Sequence, residues 1–212
     1  MHLQDLTIDA SGQEQAAIDI AEGSYVSLVI DGTVHLAGGT ERNGVFSHDW
    51  GYAGIRTSGS TVALSGSGSL EVQGGDDSGA DGGAGIGGNR EEPSGTIEIS
   101  GFPTIVATGG GEAAGIGEGD EAKEGTSSVT ILGGAVTARG GDKAAGIGTG
   151  KDAGNTGMTI TIAGGTVDAR STSSDAAGIG SCSDSDMSAI TILGGTVTAM
   201  ATGENGAGVG AA

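Results

Sequence analysis

The sequence predicts an all-β chain folded as a single-stranded parallel β-helix, six to seven coils of about 30 residues with three short strands each. Two recurring phrases and one compositional fact lead there. The first phrase returns as Ala53-Gly54-Ile55, Ala84-Gly85-Ile86-Gly87, Ala114-Gly115-Ile116-Gly117, Ala145-Gly146-Ile147-Gly148, Ala177-Gly178-Ile179-Gly180 and Ala207-Gly208-Val209-Gly210. Its apolar residues stand at 55, 86, 116, 147, 179 and 209, at intervals of 31, 30, 31, 32 and 30. The second phrase keeps the same period and contains Val129-Thr130-Ile131, Ile160-Thr161-Ile162 and Ile190-Thr191-Ile192, each followed by a Gly-Gly pair or its Ala-Gly-Gly equivalent. The compositional fact is that Leu, Ile, Val and Phe together make up only 39 of 212 residues, while glycine supplies 47.

Each element follows from these. Strict alternation of Ile or Val with Thr is the signature of a strand with one buried face. It predicts inward columns Ile97/Val129/Ile160/Ile190 and Ile99/Ile131/Ile162/Ile192. The Ala-Gly-Ile phrase supplies a third wall. Gly-Gly pairs mark corners, where the chain needs positive φ or a close approach to its neighbour. So much Gly and Thr disfavours a helical solenoid. The small apolar fraction suffices because coils stack only about 4.8 Å apart and bury their few inward residues against one another. Right-handed winding is expected from the handedness of parallel crossovers. Toward the N-terminus, Leu6 and Ile8, then Ile18 and Ile20, read as early strands, with Val26–Ile30 and Thr61–Leu64 after them. Ile18 to Ile55 spans 37 residues, and the excess falls in a projecting loop at 40–52. The whole chain, 1–212, reads as one domain.

Charge narrows the function classes. Asp and Glu number 27 against 8 Lys and Arg, a formal net charge of −19. That argues against nucleic-acid partners, which need phosphate-neutralising cations. No apolar run approaches the ~18 residues of a membrane span. The single cysteine, Cys182, has no partner for an internal disulfide. The ends carry neither a leader-like segment nor a sorting tail, so the chain reads as a module of a longer protein, and its open coil ends would allow end-to-end or side-by-side self-association.

The phrases Gly32-Thr33-Val34-His35-Leu36-Ala37-Gly38-Gly39, Ala53-Gly54-Ile55 and Leu64-Ser65-Gly66-Ser67-Gly68-Ser69-Leu70-Glu71-Val72-Gln73-Gly74-Gly75, with the repeats above, resemble a β-helical repeat domain of large surface proteins of Gram-positive gut bacteria. The resemblance covers nearly the whole chain. It implies an extracellular, non-catalytic module of the adhesin-like or carbohydrate-binding type, on a bacterial cell surface, with a polysaccharide or host-surface glycan as partner. A looser similarity, to calcium-dependent carbohydrate-binding β-helices, transfers no ligand residue.

Two constellations could carry chemistry. The 40–52 loop holds Phe46, Trp50 and Tyr52, with His48 and Asp49. Aromatic faces beside polar groups suit a sugar, but the same residues could pack the loop onto its coil. Acidic loops follow each Gly-Ile-Gly and stack on one edge. Glu118, Asp120 and Glu121, then Asp184 and Asp186, are candidate calcium ligands, since calcium takes six to eight oxygens and stacked carboxylates repel. The alternative is a solvated acidic edge that keeps the rod soluble. Adjacent Asp76 and Asp77 do not make a glycosidase pair, whose carboxylates must converge on one bond. A stalk that only spaces other domains remains an alternative function. A polysaccharide-degrading β-helix enzyme is a second.

Overall fold

A computed structural model describes residues 1–41, 50–76, 81–154, 157–183 and 185–211. The chain winds as an all-β parallel solenoid of about six turns, about 31 residues per turn. Three walls run along its axis. The third wall is a separate seven-stranded sheet, in which Ile18, Ile55, Ile86, Ile116, Ile147, Ile179 and Val209 pair in succession. The 37-residue step from Ile18 to Ile55 therefore spans one coil. In the first wall, Ile97, Val129, Ile160 and Ile190 are stacked in register, as are Ile99, Ile131, Ile162 and Ile192. Among the described residues no helix is long and apolar enough to cross a membrane.

The first coil departs from the expected segmentation. Tyr25–Ala37 is one continuous strand of 13 residues. Its front half pairs with Thr61–Gly66 and its rear half with Ser69–Gln73, which joins the first two walls into one twelve-stranded sheet. The bend falls at Gly32, where φ is +77°. Asp5 of the preceding strand, His2–Asp9, accepts a hydrogen bond from the Thr33 N–H at 3.0 Å and steadies the bend.

The core is a stack of single residues. Ile86, Ile97, Ile99, Ile105, Ile116, Ile131 and Ile147 are all fully buried, and the residues between them in each strand face outward. Each such side chain contributes roughly 1.5–3 kcal/mol through burial. In the last coil Ile192 and Val209 are exposed, because only one neighbouring coil covers them. The ladders leave two outer corners where turn residues of successive coils fall side by side, and both candidate sites lie there.

Candidate functional site

The first site forms where the chain leaves the third wall. After each Ile-Gly pair it turns through residues that hydrogen-bond to their counterparts one coil on, as Glu91 N does to the Asp120 carbonyl and Glu121 N to that of Lys151. Arg90, Asp120 and Lys151 are thereby stacked in successive coils, a column of alternating charge. Arg90 is the hub and is 7% exposed. Its Nε donates to Asp81 Oδ1 at 2.9 Å and its Nη2 to Glu121 Oε2 at 2.7 Å. Its Nη1 reaches Glu91 at 3.4 Å. Asp120 Oδ2 is 3.7 Å from Nε, within ion-pair range but beyond a hydrogen bond. One coil along, Glu112 receives Lys143 Nζ at 3.1 Å and Lys151 Nζ at 2.7 Å. Lys123 pairs with Glu91.

Burial decides the electrostatics here. Asp120 is 1% exposed and its Oδ1 has no hydrogen-bond partner. Its carboxyl is pushed up to about 7, first by burial, then by the charges of Glu112 and Glu121, against the opposing pull of Lys151 and Arg90. Glu118, two residues before it, is completely buried. This corner is an internal charge network and not a solvated edge.

Of the residues singled out as calcium ligands, the structure brings Asp120 and Glu121 together. Asp81 joins them, and one carboxylate oxygen from each lies within 4.8 Å of the others. Asp186 is exposed and takes no part in that cluster, and Asp184 lies outside the described residues. Asp81 escaped the sequence reading because it precedes an Ala-Gly-Ile phrase, whereas the other acids follow one. The available signal was that charged residues also stand just ahead of that phrase in neighbouring coils, Asp81 three residues before Ala84 and Glu112 and Lys143 two residues before Ala114 and Ala145.

Of the aromatic loop, Phe46, His48 and Asp49 lie outside the described residues. Trp50 packs its ring over the Arg90 guanidinium, 5.2 Å from the ring centroid, a cation–π contact. Tyr52 is half-buried. Its hydroxyl is raised by burial first, then by the charges of Glu41 and Glu14, a hydrogen bond with Glu41, and the charge of Glu92. Trp50 is thus tied to the charged corner, whereas Tyr52 answers to Glu41, Glu14 and Glu92, none of them a partner of Arg90.

The second site is a groove of about 640 Å³ at the corner between the third wall and the first. It crosses four successive coils, from Glu22–Ser24 through Arg56–Thr61 and Glu92–Thr96 to Glu124–Thr126. Thr61 and Thr96 pair in register and are half-buried there. Arg56 donates to Glu92 through Nε at 2.7 Å and Nη2 at 2.9 Å, and to Asp19 through Nη1 at 2.9 Å. Glu92 grips Arg56 in the groove, and its charge is also felt by Tyr52. Sequence reading missed the groove because its recurring pairs, Gly23-Ser24, Gly59-Ser60, Gly95-Thr96 and Gly125-Thr126, are ordinary turn residues, while Arg56 has no counterpart in the coils beside it, where Asp19 and Gly87 stand.

The stacked strands and repeating corners agree with an independent comparison. The repeat family described as beta helix repeat matches residues 97–117, 129–151, 160–183 and 190–212. By its fold the chain is a parallel β-helix, and its four matched segments are beta helix repeats. The matched segments of the β-helical repeat domain are the coils in which the Ile columns are most regular, while the Arg56 groove and the Trp50–Arg90 contact begin in the coils ahead of them. No curated protein and no solved structure matches it.

Proposed function

We propose that this β-helical repeat domain is a non-catalytic, extracellular surface module that binds carbohydrate, and that the Arg56 groove is where a glycan lies. The observation that carries the reading is the groove itself: open, polar, and extended along the axis over four coils. An extended groove suits a chain of sugars, and hydroxyl and carboxylate groups on its walls match sugar hydroxyls by directional hydrogen bonds. Its charge favours one ligand class. Glu22, Glu92 and Glu124 line it, and its arginine is already engaged by Glu92 and Asp19. An acidic polysaccharide would meet uncompensated carboxylates, so a neutral or amino-bearing glycan of a cell surface fits better.

Native electrophoresis through gels cast with neutral, amino-bearing and acidic polysaccharides tests this, with calcium and with chelator. A neutral or amino-bearing polymer is expected to retard the domain. Replacing Thr61 and Thr96 together by Val removes two groove hydroxyls at nearly constant shape. Two lost hydrogen bonds at about 1 kcal/mol each weaken binding by roughly tenfold or more. Unchanged mobility in every gel would favour a structural stalk. Release of new reducing ends from any polymer would favour the enzyme reading.

A further inference from the structure

We propose that the corner between Asp81, Asp120 and Glu121 binds a calcium-sized divalent cation. This stands independently of the glycan reading, because it concerns a different corner and different residues. Three observations carry it. One oxygen from each carboxylate lies within 4.8 Å of the other two. Calcium holds oxygens at about 2.3–2.6 Å, so it can touch two that are up to ~5 Å apart; magnesium, at about 2.0–2.1 Å, reaches only ~4.2 Å. Three oxygens within this separation close onto a calcium-sized ion by small side-chain movements, and magnesium, with its shorter bonds and rigid octahedral shell, asks for larger ones.

Asp120 Oδ1 is the second observation. It is buried with no hydrogen-bond partner, on a residue only 1% exposed. A buried carboxylate oxygen without a donor is disfavoured, and a cation is one of the few things that satisfies it. The third is the charge around it. Arg90 brings one positive charge to Asp81, Glu121 and Glu91, and its distance to Asp120 is 3.7 Å. Lys123 serves Glu91, and Lys143 and Lys151 serve Glu112. Two of the three cluster carboxylates already face the Arg90 guanidinium, so the cation would sit beside Arg90 on the Asp120 side and complete its shell with water.

Trp50 provides the readout. It is the chain's sole tryptophan and its ring lies on Arg90, which contacts all three proposed ligands. Terbium substitutes for calcium and emits when a nearby excited indole transfers energy to it. The chelator-washed full chain is titrated with terbium under excitation of Trp50, and bound ion is then competed with calcium or magnesium. Saturable emission is expected, displaced by calcium at lower concentration than by magnesium. Asp120→Asn should weaken terbium binding at least tenfold, and Asp186→Asn, at an exposed acid outside the cluster, should leave it unchanged. Glu121→Gln, at a partly exposed side chain, gives the same test should Asp120→Asn fail to fold. Absence of saturable emission overturns the proposal. So does equal loss in the Asp186 variant, which would mean diffuse attraction to an acidic surface.

Discussion

Gly148→Ala is expected to lower the melting temperature by about 10 °C or more, or to prevent folding. Gly148 has φ of +143°, in a region that side-chain-bearing residues scarcely enter, at a cost of about 1–3 kcal/mol. Space compounds the strain. A Cβ there would stand 1.8 Å from the Gly180 carbonyl oxygen of the next coil. That oxygen cannot simply withdraw, because it accepts the Thr149 N–H at 3.1 Å. The position also belongs to a column: Gly87, Gly117 and Gly180 have φ of 150°, 141° and 144°, and each would meet a neighbouring carbonyl the same way. Strain and clash together exceed about 4 kcal/mol, which is exceptional for one methyl group. At roughly 2–4 °C per kcal/mol for a chain of this size, the melting temperature falls by the amount stated. Gly12→Ala is the control, since nothing lies within 4 Å of a Cβ there, and its melting curve by circular dichroism should match the parent's. Equal melting of Gly148→Ala and the parent would show that the stack yields more easily than its geometry implies.

The same column explains why the fold was legible. A solenoid writes each buried position once per coil, so Ile99, Ile131 and Ile162 announce one another at a fixed interval, and even the irregular 37-residue step ends on the Ile18–Ile55 pair. The first coil was less legible because the strand was read as ending at Ile30, yet the ladder continues past it, with two residues, Gly32 and Thr33, facing Asp5 alone between the Gln4–Asp31 and Leu6–Val34 pairs. The charged corner was half legible. Asp120 and Glu121 follow an Ala-Gly-Ile phrase and were singled out as acids, but Asp81 reaches them across the turn from the segment ahead of another such phrase. That juxtaposition depends on the path of the corner, which residue spacing does not encode. Trp50 illustrates the same limit. An aromatic in a loop next to His48 and Asp49 suits a sugar by residue type, while its partner, Arg90, is forty residues away and is found only through the stacking of coils.

Stability should fall as pH rises from about 4 to about 7, and Asp120 should be the cause. Its folded-state carboxyl titrates at about 7, against an ordinary value of 3.8. Between those values the native protein holds a proton that the unfolded chain has released. The native state therefore binds more protons, and unfolding free energy decreases with pH across this window and levels off above it. The whole fall is at most about 4 kcal/mol, since one pKa unit corresponds to roughly 1.4 kcal/mol. Groups of the opposite kind do not cancel it. Asp9, Asp168 and Asp175 are held below the ordinary carboxylate range by hydrogen bonds, so their contribution is lost only as pH falls below about 4. The groups that face Asp120 are Arg90, Lys151, Glu112, Glu121 and Asp81, and their charges set how steep the fall is. Urea unfolding in the presence of chelator, compared between the parent and Asp120→Asn, isolates the effect. The amide is neutral at every pH and nearly the same shape. The two proteins should differ least near pH 4, and by pH 8 the variant should be the more stable by a few kcal/mol. A difference that stays constant from pH 4 to 8 would mean that Asp120 ionises in the native corner as readily as in the unfolded chain, and that Arg90 and Lys151 outweigh its burial.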